Sequence, residues 1–143
     1  MQNTFVHDDT LVAFGGAIKT LGDGRLGGHL IVYGNSGAPD IEGDFFTPET
    51  AFDFEDGDSR PVYYLHGLDG ALKKRRIGRA TLRRDAVGVW IEAQLDLRDE
   101  YERALYEMAQ AGALGWSSGA AAHLVERQRV GKSQRVEKWA IAE

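Results

Sequence analysis

The sequence predicts a mainly β domain of the α+β kind, a β-barrel carrying a few helical insertions. Two observations point there: short apolar runs bounded by glycine and turn residues recur along the chain, and a single segment holds a sustained helical period. The length of 143 residues fits one domain spanning 1–143 with one real core.

Taken in order, Leu11 to Ile18 reads as a strand and His29 to Tyr33 as a second, with Gly22-Asp23-Gly24 and Gly27-Gly28 as turn material between them. Within an acidic stretch from Asp40 to Asp58, Thr47-Pro48-Glu49 has the form of an N-cap, a proline at the first helical position and an acid in the first turn. A short helix through Phe52 is expected there. Pro61-Val62-Tyr63-Tyr64-Leu65 is a β-rich run that delivers His66 at its end, just before Gly67. Arg76 to Arg84 and Val87 to Leu95 form a hairpin around Asp85-Ala86, with Val87, Val89, Ile91, Ala93 and Leu95 alternating inward. The one long helix lies near 99–111, where Tyr101, Leu105, Met108 and Ala111 mark its core-facing stripe and Gly112 is its stop. Leu114 to Ser118, Ala120 to Val130 and Arg135 to Ala142 complete the strands, the last two joined at Gly131-Lys132-Ser133. No internal repeat or low-complexity tract interrupts this order.

Composition narrows the class of function. Hydrophobic residues make up 43% and charged residues 27%, the balance of a globular chain rather than a disordered one. No apolar run reaches the ~18 residues of a membrane helix. The start Met1-Gln2-Asn3-Thr4-Phe5 lacks the basic and apolar regions of a signal peptide, and the chain has no cysteine, so a cytoplasmic setting is the expectation. A net charge of −5 conceals segregation: eight acids and no Lys or Arg from Asp40 to Asp58, against seven basic residues from Lys73 to Arg84. The simplest reading is two solvated surfaces that neutralise one another. The basic run holds no interleaved aromatic residue for base stacking, which argues against a direct nucleic-acid role.

The chemical signal is Gly115-Trp116-Ser117-Ser118-Gly119. A serine hydroxyl becomes a useful nucleophile when an imidazole takes its proton and a third group orients that imidazole. Gly115-x-Ser117-x-Gly119 matches the nucleophile elbow of α/β hydrolases in form, yet that fold needs a parallel sheet and the order serine, acid, histidine. The sole histidine after Ser117 is His123, six residues on. Metal readings fail on spacing: His123-Leu124-Val125-Glu126 is not the two-histidine helical pattern of zincins, and His7, His29 and His66 are scattered. In Asp53-Phe54-Glu55-Asp56-Gly57-Asp58, counting back from Gly57 puts Phe52 and Phe54 where the first calcium ligands belong. No metal and no cofactor are expected. From the residues alone, Ser117 with His66 stands open between a nucleophile with its base and a packing serine beside a hydrogen-bonded histidine.

The succession Gly43-Asp44 with Thr47-Pro48 and Phe52, then His66, Ile77-Gly78, Asp85-x-x-Gly88, the helix, Gly115-Trp116-Ser117-Ser118-Gly119 and Trp139-x-x-x-Glu143 resembles the prohead maturation proteases of tailed phages. These are serine proteases related in fold to the herpesvirus capsid-assembly protease. The resemblance runs from about Leu30 to Glu143. It implies a herpesvirus-protease-like β-barrel, Ser117 as nucleophile, His66 as general base and Glu143 as the third triad member, with His123 as the alternative and Glu137 a further one. Backbone amides of Ser118 and Gly119 are the oxyanion candidates. The implied substrates are the phage scaffold protein, a segment of the major capsid protein and the protease itself, cut inside the assembling prohead in the host cytoplasm. Self-association, with a dimer as one form, is implied as well. The chain departs from the family at Ala140, where relatives often carry proline. The family also continues beyond the position of Glu143, which implies a shortened chain or a self-cleaved core. Two rival readings keep the fold without the chemistry: an inactive structural or scaffold-linked domain, and a small β-barrel binding module.

Overall fold

A computed structural model describes residues 10–40, 43–63 and 76–143. Among these residues the protein is mainly β, with one α-helix. The first strand, β1 (Thr10–Ala17), is followed by β2 (Lys19–Gly22) and β3 (Arg25–Val32). Next come β4 (Asp44–Phe45), β5 (Ser59–Tyr63), β6 (Arg76–Arg84) and β7 (Gly88–Gln94). Helix α1 (Glu100–Gln110) leads into β8 (Gly115–Ala121), a 3-10 turn (Ala122–Leu124), β9 (Val125–Val130) and β10 (Ser133–Trp139). The strands form a five-stranded sheet in the order β2-β3-β7-β6-β5, a two-stranded ribbon β1-β8 and a three-stranded sheet β4-β10-β9. They do not close into the expected barrel, because the ladders break into three separate sheets among the described residues.

The predicted hairpin of β6 and β7 is present, and alternation buries Val89, Ile91, Ala93 and Leu95. Val87 departs from that pattern and is 49% exposed, because it belongs to the turn, where its carbonyl accepts from the Tyr33 N–H. On β6 the inward residues are Ile77, then Ala80 and Leu82. The change of parity falls at Gly78, whose φ of +121° accommodates an extra residue opposite β5.

Two sequence expectations are corrected. Gly22-Asp23-Gly24 is a turn, but Gly27 and Gly28 lie inside β3. Both are crowded: a side chain on Gly28 would sit 2.7 Å from the Ala17 carbonyl and 2.8 Å from the Trp116 indole nitrogen, and one on Gly27 would meet the Leu21 and Trp90 side chains at 2.9 and 3.1 Å. Thr47-Pro48-Glu49 makes a turn and no helix. Thr47 Oγ1 accepts from the Glu49 N–H and the Thr50 N–H returns to the Thr47 carbonyl. The chain then runs parallel to the end of β10: the Ala51 N–H donates to the Glu137 carbonyl, and the Trp139 and Ile141 N–H groups donate to the carbonyls of Ala51 and Phe52. Burial of Phe52 beside Phe46, which stands edge-on to Trp139 at 5.5 Å, outweighs the local helix signal.

Helix α1 begins where predicted. Asp99 is the N-cap and accepts from the Glu102 N–H at 3.1 Å, while the Glu102 carboxylate accepts from the Asp96 N–H at 2.9 Å. Its buried residues are Leu105, Tyr106 and Ala109, so the core-facing stripe is rotated from the predicted one. Met108 is half-exposed and Ala111 exposed. Gly112, at φ +75°, ends the helix, and the Ala113 N–H returns to the Met108 carbonyl.

Candidate functional site

Alternation along β8 separates the two serines. Trp116, Ser118 and Ala120 are buried, and Ser118 Oγ accepts from the indole Nε1 of Trp139 at 3.1 Å in a fully buried setting. Trp116 Nε1 in turn donates to the Gly27 carbonyl at 3.0 Å. Ser117 is half-buried, pairs across the ribbon with Phe14 and lines a cavity of about 440 Å³.

Glu143 lines the same cavity. It reaches that place through the segment 140–143, which leaves β10, buries Ala140 and Ile141, and pairs with β8. There the Gly119 N–H donates to the Glu143 carbonyl at 2.8 Å, and the Ala142 N–H donates to the Gly119 carbonyl at 2.8 Å. Those bonds engage the Gly119 amide, so in this conformation it is not turned to an oxyanion. Strand alternation directs the neighbouring Ser118 amide toward β1 instead.

Arg60 of β5 is a cavity residue that sequence reasoning missed. Its Nε donates to the Ile141 carbonyl at 2.7 Å, Nη1 to the Ser59 carbonyl and Nη2 to the Asp53 carbonyl at 2.8 Å. One guanidinium thus ties three stretches of backbone together just before Glu143. No local pattern marks it, since the partner that links it to the end of the chain, the Ile141 carbonyl, is 81 residues away.

His123 sits exposed on the 3-10 turn after β8 and does not line the cavity. Glu137 is paired with Arg135 at 3.2 Å on β10. His66, and the Lys73–Arg75 part of the basic run, lie outside the described residues. No group of three or more metal-ligating side chains occurs among the described residues. The acidic stretch is partly stitched to other strands: Asp44 takes a bidentate pair from Arg127 at 2.9–3.1 Å. Arg84 donates to the carbonyls of Thr50 and Pro48, and its backbone N–H donates to Asp56.

A histidine-acid pair among the described residues lies away from the cavity, on the five-stranded sheet and its β6-β7 turn. His29 Nε2 donates to Asp85 Oδ2 at 2.8 Å, and the His29 ring stands edge-on to Trp90 at 5.1 Å. Partial burial acts to raise the Asp85 pKa. The His29 hydrogen bond, the Gly88 and Val87 N–H groups and the His29 charge together outweigh it, and the carboxyl titrates below its ordinary value. The couple braces the β6-β7 turn, and no hydroxyl nucleophile contacts it among the described hydrogen bonds. Comparison with protein-family models, with curated proteins and with solved structures finds no match to this chain.

Proposed function

We propose that this protein is a serine endopeptidase of the phage prohead-maturation kind, with a herpesvirus-protease-like fold, cutting scaffold and capsid-protein segments and itself. The reading is supported above all by Ser117 and Glu143 meeting on one cavity while Ser118 is held in the core by Trp139. In the mechanism, Ser117 Oγ attacks the peptide carbonyl, His66 accepts the hydroxyl proton and returns it to the leaving amine, and Glu143 orients the imidazole. No cofactor takes part. Substrates are met inside the assembling prohead in the host cytoplasm, with self-association of the chain.

Labelling of the purified chain with a fluorophosphonate tests this reading. The expected adduct maps to Ser117, is lost in Ser117→Ala and His66→Gln, and persists in Ser118→Ala. Processing of co-expressed scaffold should fall about 10⁴- to 10⁶-fold in the first two variants. Undiminished labelling in His66→Gln overturns the assigned base. The largely apolar walls of the cavity favour one second reading, a β-module that binds an apolar ligand without chemistry. Complete absence of labelling is the result that favours it.

A further inference from the structure

Resting on the protease reading, we propose that the cavity beside Ser117 is a specificity pocket for a large, uncharged apolar side chain on the acyl side of the scissile bond. About 440 Å³ lies within the range of ~300 to 1,000 Å³ typical of small-molecule sites, far more than a nucleophile needs for access. Three polar side chains, Ser117, Glu143 and Arg60, are among its lining residues. The rest of the lining is largely apolar, including buried Leu30, Leu82 and Ile91 of the five-stranded sheet, Leu95 just past β7 and Met108 of α1.

Three features select the occupant. A residue whose carbonyl lies at Ser117 can project its side chain into the space that Ser117 itself borders, so the reacting group and the apolar volume belong to one ligand. An acidic side chain meets the Glu143 carboxylate and apolar walls that penalise its charge, while Arg60 commits three of its five N–H donors to backbone carbonyls. A basic side chain meets the Arg60 guanidinium in the same cavity, and wherever it lies against the leucine and isoleucine walls its charge is penalised. Leucine, methionine and phenylalanine satisfy the apolar walls and leave Ser117, Glu143 and Arg60 to the peptide bond.

The test is acylation of the full chain by p-nitrophenyl esters from acetate to hexanoate. Ser117 Oγ forms the new bond to the carbonyl carbon, the bond to nitrophenolate breaks, and the hydroxyl proton passes to the base. The expected kcat/KM rises about fourfold with each added methylene, the factor for burying one such group. Met108→Trp, which narrows the space, should lower the hexanoate-to-acetate ratio at least tenfold. Digestion of a peptide library should place Leu, Met or Phe on the acyl side of the cuts. Acylation of Ser117 that is independent of chain length, or cleavage after charged residues, overturns the pocket and leaves the protease reading intact. Failure of every ester to acylate Ser117 overturns that reading and the acyl pocket with it.

Discussion

Ser117 and Ser118 are chemically identical neighbours, and the pleat of β8 gives them opposite surroundings. Ser118 Oγ is the acceptor for a buried indole N–H, so Ser118→Ala leaves Trp139 Nε1 unpaired in the core. Loss of about 1 to 3 kcal/mol of unfolding free energy is expected, read from the urea midpoint, with fluorophosphonate labelling retained. Ser117→Ala, in contrast, should abolish the labelling. The preference for Ser117 over Ser118 came from the resemblance. Its physical basis, a partner 21 residues away on another sheet, was not legible in the sequence. The partner of His29 was illegible for the same reason, since Asp85 is 56 positions distant. Because the Asp85 carboxyl is held below the ordinary value of 3.8, its contribution to stability is present above that pH and is lost as pH falls through the folded value. Asp85→Asn keeps an oxygen for the Val87 and Gly88 N–H groups but removes the charge. The variant should therefore show a flatter decline in thermal midpoint below about pH 4 than the parent chain, and identical profiles would dismiss the pair as a contributor.

Elements with a strong local signature were readable and those set by crossing backbones were not. The α1 boundaries followed from Asp99 and Gly112 because caps act within one turn. Asp99→Ala removes the acceptor for the Glu102 N–H and should cost about 1 kcal/mol, visible as a lower urea midpoint with an unchanged slope. The β6-β7 hairpin was likewise legible from period-two alternation. In contrast, the turn at Thr47-Pro48 carries a helix-start pattern that tertiary pairing of Ala51 and Phe52 with the 137–141 stretch overrides. Glycine is equally ambiguous: Gly15 and Gly28 permit β1 and β3 to cross, and the sequence shows only that they are small. A side chain on Gly15 would stand 2.1 Å from the Leu30 carbonyl, whereas one on Gly115 meets nothing nearer than 3.7 Å. Gly15→Ala should therefore destabilise by about 3 kcal/mol while Gly115→Ala changes the midpoint little. Comparable midpoints for the two would refute the close crossing.

For the whole molecule, three sheets must be held in register for Ser117 and Glu143 to share a cavity, and among the described residues no strand ladder joins all of them. The 140–143 segment supplies the join, passing from the end of β10 to the edge of β8 at Gly119. Arg60 anchors it from the five-stranded sheet, through hydrogen bonds to Ile141 and Asp53 that a charged donor makes stronger than neutral ones. Removing that anchor should act on the site through position rather than chemistry, since the guanidinium is directed at carbonyls. Arg60→Gln is expected to lower the thermal midpoint modestly and to slow Ser117 labelling by up to about 10²-fold, the scale at which an ångström of misplacement is felt in a catalytic constellation. The decisive comparison is with Asp99→Ala, which lowers stability at the first turn of α1, at a residue that does not itself line the cavity. If both variants label at the parental rate once folded, Arg60 serves cohesion alone; if Arg60→Gln alone is slow, the union of the three sheets at residues 140–143 is what places the acid beside the nucleophile.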